Sequence, residues 1–179
     1  MDDRCSAVPP EIVRLPRYTR ADQDEIFGPG DDPYSVGDLG LTFRPKEIHL
    51  GIRAADDRLV AHIGLVPILL SVGDTELAAV GIGGLAVAPG RRDGSLARAL
   101  LEAAFDHART LGSAHALAFC RPRLVPYYER RGFHELAAEV TVEQPGGRLV
   151  VMPLRTIWSP LRDGAEWPAG AVRLRSLPI

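Results

Sequence analysis

Residues 47–87 read as three consecutive strands. Ile48, Leu50 and Ile52 recur at period two over residues 47–54, and Asp56-Asp57 supplies a turn. Residues 59–72 are a long apolar run, and Gly73-Asp74 turns the chain again. Residues 77–87 form the third run, interrupted by Gly81, Gly83 and Gly84. Glycine inside a strand weakens it and marks a bulge or a close approach by a ligand or another backbone. The period then changes to 3.6. Ala97, Leu101, Ala104, Ala108 and Leu111 share one face over residues 95–111, and Arg98, Glu102, Asp106 and Arg109 share the opposite face. Gly112 stops this helix. A strand over 114–120 and a short helix over 124–131, ended by Gly132, come next. Residues 133–143 and 148–154 then make a hairpin around Pro145-Gly146-Gly147, a type II turn sequence.

Upstream, residues 11–18 alternate loosely, as a strand does. Thr19-Arg20-Ala21-Asp22 resembles a capping box and opens a short helix to about Phe27. Gly28 to Pro33 is a loop, and the weak periodicity up to Pro45 predicts a connection. From Thr156 onward the pattern predicts an irregular tail. The order is strand, helix, three strands, helix, strand, helix, two strands. This predicts an α/β fold with a mixed sheet and a right-handed strand–helix–strand crossover in the middle. A length of 179 residues fits one core. Residues 1–155 are expected to form it, with 156–179 packed on the same domain.

Composition changes this picture little. Apolar residues make up 46% and charged residues 25%, which is ordinary for a globular chain and excludes disorder. No apolar run approaches the ~18 residues of a membrane span. The first residues, Met1 to Cys5, lack the pattern of a secretory signal, so a cytoplasmic protein is expected. The net charge of -2 does not advertise nucleic-acid binding. Its distribution says more: Arg91, Arg92, Arg98, Arg121, Arg123, Arg130 and Arg131 fall in one third of the chain and would suit a small polyanion. Cys5 and Cys120 stand alone, without metal-ligand spacing, so neither a metal site nor a disulfide framework is expected. Cys120 reads as a small buried residue ending a strand. Lys46 is the only lysine and reads as a composition bias.

The loop over residues 88–97 carries the candidate chemistry. A strand ends and a helix begins within a few residues. Gly90, Gly94, Ser95 and Ala97 let the backbone approach an anion closely. The first amides of the helix bear the positive end of its dipole, which makes an anion site. Arg91, Arg92 and Arg98 add charge. The loop is neither a Walker sequence nor a dinucleotide fingerprint.

Leu85-Ala86-Val87-Ala88-Pro89, Arg92-x-x-Ser95-x-Ala97, Ala99-Leu100-Leu101 and Tyr128-Glu129-Arg130-Arg131-Gly132-Phe133 together resemble the GNAT family of N-acyltransferases in order and spacing. The resemblance implies a mixed, mostly antiparallel sheet flanked by helices, with a splayed central strand. It implies acetyl-CoA or another acyl-CoA as co-substrate. Leu85, Ala86 and Val87 would meet the pantetheine arm. Arg91, Arg92, Asp93, Gly94, Ser95, Leu96, Ala97 and Arg98 would surround the pyrophosphate, with Ser95 standing where the family usually has glycine. Tyr128 matches the family tyrosine near the sulfur and is expected to be the general acid. Ala61-His62-Ile63-Gly64-Leu65, Phe27-Gly28-Pro29-Gly30, Arg44-Pro45 and Glu166-Trp167-Pro168-x-Gly170 are similar to nodulation N-acyltransferases, which acylate a chito-oligosaccharide amine. The length, the central block and Trp167-x-x-Gly170 also look like aminoglycoside N-acetyltransferases.

The expected acceptor is therefore a small-molecule amine on an amino sugar or a similar compound. An acyl carrier protein as donor and a non-catalytic acyl-CoA-binding module are the alternatives, and the oligomeric state is left as monomer or homodimer. The base is left open. Gly81 and Gly83 stand where relatives carry an acid. Asp31, Asp32, Asp38 and Glu166 are candidates to attract a cationic amine, although each taken singly reads first as a solvated acid. His62 reads first as a satisfied core histidine, and His49 is undecided. Trp158 and Trp167 read first as anchors of the tail, and second as a sugar-stacking wall.

Overall fold

The computed structural model describes residues 10–30, 34, 36–92 and 94–179. Its central hairpin pairs β3 (Leu59–Val72) with β4 (Thr75–Val87) along almost their whole length. The other edge of β3 is shared. β2 (Ile48–Arg53) pairs with its first half, and β10 (Val172–Leu174) with its last three residues. β1 (Ile12–Leu15) extends the sheet beyond β2. On the far edge β4 continues in parallel to β5 (His115–Cys120), then β9 (Arg155–Pro160) and β6 (His134–Glu135). β7 (Val140–Gln144) runs parallel to β10 and pairs with β8 (Arg148–Val151). Among the described residues ten strands thus form one mixed, mostly antiparallel sheet.

Two faces of β3 explain its unbroken apolar run. Ala61, Ile63 and Leu65 pack under α2 (Ser95–Thr110), while Val66, Ile68, Leu70 and Val72 face a second cluster with Val140, Val142 and Leu174. A strand buried on both faces loses the alternation of a half-exposed one. α2 buries Ala97, Leu100, Leu101, Ala104 and Ala108. Leu100 belongs to the buried face, whereas Leu111 is a half-exposed C-cap. Its outer face holds the expected pairs, Arg98 to Glu102 at 3.9 Å and Arg109 to Asp106 at 2.8 Å. α1 (Arg20–Phe27) starts with the expected capping box: Thr19 N donates to Asp22 Oδ2 at 2.6 Å, and Asp22 N donates to Thr19 Oγ1 at 3.3 Å. α3 (Val125–Glu129) is the short helix after β5. No helix among the described residues is long and apolar enough to cross a membrane.

Two expectations are corrected. The chain after Thr156 is not irregular, since β9 and β10 both lie in the sheet. Inward-facing positions of β9 include Thr156 and Ser159, so a hydrophobic pattern cannot find it; Ser159 Oγ donates to Gly132 O at 2.8 Å. Residues 133–143 are not one strand either. β6 joins β9 and β7 joins β10, while the turn at 145–147 is as expected, with Gly146 at φ 79°.

Candidate active site

β4 and β5 pair only from Ala79/His115 to Gly81/Leu117. Beyond that β4 runs on to Val87 and β5 to Cys120, and no longer pair with each other. The gap opens into a cavity of about 560 Å³, bordered by Ile82 to Leu85 on one strand and Ala118 to Cys120 on the other. Ala88 N donates to Val60 O at 2.9 Å. By the two-residue period of a strand, the Ala86 amide also faces β3, and those of Leu85 and Val87 face the gap. The Ala86 side chain packs away from the gap, against Leu15, Ile26 and Leu59. Of the expected strip, Leu85 and Val87 therefore offer backbone amides to the gap, and Ala86 does not.

The loop from β4 to α2 ends beside this gap. A turn over Pro89–Arg91 uses the Arg91 amide, which donates to Ala88 O at 2.9 Å. Arg92 folds back so that Nε donates to Val87 O at 3.3 Å. Gly94 is the N-cap of α2 at φ 90°, a conformation that suits glycine. The first helical bond runs from Arg98 N to Gly94 O at 3.1 Å, so the Leu96 and Ala97 amides have no carbonyl ahead of them in the helix. Gly94, Ser95 and Arg98 line a second recess of about 300 Å³, and Arg131 closes its side. Arg131 is held by Nη1 donating to Tyr127 O at 2.8 Å and by its guanidinium lying 3.6 Å over the Tyr127 ring. Its buried Nε has no hydrogen-bond partner among the described residues. Asp93 lies outside the described residues. The arginine cluster thus divides: Arg98 and Arg131 flank the helix start, and Arg121 and Arg123 line the larger cavity.

Tyr128 forms one wall of the larger cavity. Its ring stands edge-on to Phe133 at 5.4 Å and to Tyr127 at 5.2 Å. Its hydroxyl makes no hydrogen bond among the described residues, and burial, with the nearby Cys120 adding to it, pushes the phenol pKa up. The phenol therefore keeps its proton. Burial also pushes the Cys120 thiol up to about 11, with Glu135 acting in the same direction. A thiol so far from its thiolate is a poor nucleophile.

The opposite wall is built on Gly64, Gly83 and Gly84. Gly64 pairs with Gly83, and the Lys46 side chain lies flat across both: a Cβ on Gly64 would sit 2.5 Å from Lys46 Cγ, and one on Gly83 2.9 Å from Lys46 Cε. Ile179 fills the same role over Gly81. The strand glycines thus admit this chain's own side chains. Burial pushes the Lys46 ammonium down to about 8, and Arg44 acts in the same direction. The strand register shifts between His62 and Gly64, and Gly84 sits at φ 64°. Such a bulge turns a carbonyl out of the ladder. The Gly84 carbonyl accepts from Tyr34 Oη at 3.2 Å and lies 3.1 Å from His62 Nδ1. The other His62 nitrogen, Nε2, lies 3.1 Å from His49 Nδ1. The Tyr18 ring stacks on His62 at 3.5 Å and 2°.

Burial moves His62 down to about 3 from 6.5, helped by the His49 and Lys46 charges against the Gly84 carbonyl and Asp22. Above pH 6.5 the ring is neutral in the folded and unfolded chain alike. As the pH falls from 6.5 toward 3, the unfolded chain takes up a proton that the folded ring refuses, so stability falls. His62 alone is expected to remove about 2 kcal/mol between pH 7 and pH 5. Urea unfolding at the two pH values measures this, and His62→Gln should flatten the difference.

Other expected residues lie elsewhere. Asp31 and Asp32 fall outside the described residues. Asp38 accepts from Arg121 Nη2 at 2.7 Å at the cavity's edge. Glu166 is at the other end of β5, its backbone carbonyl 2.9 Å from His115 Nε2, about 17 Å of strand from Cys120. Trp167 packs there on Trp158 at 5.5 Å and on His115 at 5.4 Å, which anchors the tail. Neither tryptophan lines the cavity. Lys46, Tyr18 and Tyr34 were not singled out in sequence as site residues, whereas Arg131 belonged to the arginine cluster expected to meet an anion. Gly64 opposite Gly83 was the available signal for Lys46.

Residues 40–136 match the acetyltransferase (GNAT) domain family, more than half of the chain. No curated protein matches in sequence. A GNAT family N-acetyltransferase from Escherichia coli, solved with CoA, superposes with a TM-score of 0.58 at 19% identity, over 95% of this chain and 93% of that one. A GNAT family acetyltransferase from Brucella melitensis, solved with acetyl-CoA, gives 0.51 at 16% identity, over 90% and 94%. The N-acetylglutamate synthase from Neisseria gonorrhoeae, solved with coenzyme A and N-acetyl-glutamate, gives 0.55 at 14% identity, over 85% of this chain but 35% of that one. The splayed pair β4/β5, the open helix start beside it and the sequence match agree: this chain belongs to the GNAT acetyltransferase family.

Proposed function

We propose that the protein transfers an acetyl or other acyl group from acyl-CoA to a primary amine of a small molecule, with an amino sugar as the acceptor class. One observation carries this reading: the gap between β4 and β5 opens into a cavity lined by Tyr128, and the loop that leaves β4 leads to the start of α2, which borders a second recess. The pyrophosphate lies on the Leu96 and Ala97 amides, between Arg98 and Arg131. The pantetheine arm enters the gap, where the Leu85 or Val87 amide polarises the thioester carbonyl. Tyr128 gives a proton to the departing thiolate. CoA-bound relatives of the same fold support the donor.

The larger cavity takes the acceptor. Its described charged lining residues, Arg44, Lys46, Arg121 and Arg123, are all cationic. That favours an acceptor with a single amine over a polycation. Thiol release from acetyl-CoA in the presence of glucosamine tests the reading. The expected result is release that rises with amine concentration above the rate with water alone. Bound acetyl-CoA without amine-dependent release, on glucosamine and on a panel of other primary amines, would leave only a binding module.

A further inference from the structure

Acyl transfer to an amine needs a group that takes the proton lost by nitrogen as the N–C bond forms. β4 offers none: Gly81 and Gly83 have no side chain, and their space holds Ile179 and Lys46. The adjoining strands offer one. His49 pairs with Gly64, and Gly51 with His62, so the two histidines are diagonal neighbours on one face of β2 and β3. Both rings line the cavity whose other wall is Tyr128.

The hydrogen bonds fix where the protons sit. The Gly84 carbonyl can only accept, so the proton between it and His62 belongs to His62 Nδ1. A neutral imidazole carries one proton, so His62 Nε2 is an acceptor. The contact of 3.1 Å to His49 must then be a donation from His49 Nδ1. That leaves the lone pair of His49 on Nε2. The chain runs from Nε2 of His49 through both rings to a carbonyl that a bulge turns toward them. Tyr18, stacked on His62, and Tyr34, bonded to the same carbonyl, hold it in place.

The surroundings keep the pair uncharged. Tyr18, from the segment after β1, Tyr34, Lys46 and Arg44 line the same cavity, and the Asp22 charge of α1 acts on both rings. Burial holds His49 below the usual imidazole range. The Lys46 ammonium adds to this, and the Lys46 carbonyl and Asp22 oppose it.

We propose that His49 is the general base of the acyl transfer, through Nε2, and that His62 is its positioning residue. This rests on the acyl-CoA reading given above. The neutral amine attacks the thioester carbon, the N–C bond forms, and the nitrogen becomes acidic. His49 Nε2 takes its proton while the C–S bond breaks, and the thiolate takes a proton from Tyr128. The imidazolium and the phenolate then restore each other through water, so amide and free CoA thiol are the only products. His62 accepts the Nδ1 hydrogen of the His49 imidazolium, which steadies its charge.

The direct test is nitrogen-15 NMR of the histidine rings between pH 6.5 and 8, assigned with His49→Gln and His62→Gln. The expected result is an Nδ1–H tautomer on both rings, the less common form in water. An Nε2–H tautomer or an imidazolium on His49 at pH 7 would overturn the proposal, whether or not turnover is seen. With glucosamine and acetyl-CoA, His49→Gln should lower kcat/KM about a hundredfold. It should also remove the acidic limb of the pH profile, with acetyl-CoA affinity unchanged. His62→Gln should cost less, about tenfold, and shift that limb instead of removing it. An unchanged limb in His49→Gln would also overturn the assignment. Absent acetyl-CoA binding with both tautomers as expected would instead contradict the acyl-CoA reading.

Discussion

Tyr128→Phe is expected to lower kcat for acyl transfer by about 10²–10⁴-fold while leaving the affinity for acetyl-CoA nearly unchanged. The substitution removes one oxygen and keeps the ring, so the edge-on contacts with Phe133 and Tyr127 remain. The lost hydroxyl makes no hydrogen bond among the described residues, so no buried partner is stranded. The folded chain should therefore unfold at the same denaturant concentration as the wild type. What disappears is the proton for the leaving thiolate. A loss confined to kcat marks a group that acts in the transition state. An unchanged kcat with intact folding would take the role away from Tyr128.

Ser95→Glu should separate binding from stability. Ser95 is the first residue of α2 and is exposed, so a longer side chain fits. A carboxylate in the first turn complements the helix dipole, and the thermal midpoint should hold or rise slightly. The same carboxylate would face the pyrophosphate. Two unit charges about 4 Å apart repel by about 1–4 kcal/mol between bulk water and a protein surface. The dissociation constant for acetyl-CoA should rise at least tenfold, read by calorimetric titration, and the effect should shrink with added salt. Unchanged affinity would move the pyrophosphate away from α2.

Most of the central sheet was legible because its strands are long, strongly apolar and separated by clear turns. β3 and β4 are long, and their turn at Gly73-Asp74 falls as read. α2 was legible through the spacing of its small apolar residues, although Leu111 proved to be a half-exposed cap. β9 was hidden because Thr156 and Ser159 take buried places beside Ile157. β10 was hidden by its length of three residues, too short for a period to register. In the site, the helix start and Tyr128 could be read because each is a local motif. The wall opposite Tyr128 was not read, because its residues meet across strands. Lys46 matters only because Gly64 and Gly83 pair across two strands and leave it room. His49 and His62 are thirteen residues apart and meet through a register that only the paired strands define. Arg131 reaches the recess because its guanidinium rests on Tyr127, a contact set by the short helix α3.

Acyl-CoA-dependent transfer is read directly by native mass spectrometry of the wild-type chain mixed with acetyl-CoA, repeated after glucosamine is added. One acetyl-CoA is expected per chain, replaced by CoA once the amine is present. A chain that holds no CoA species at any concentration would contradict acyl-CoA-dependent transfer.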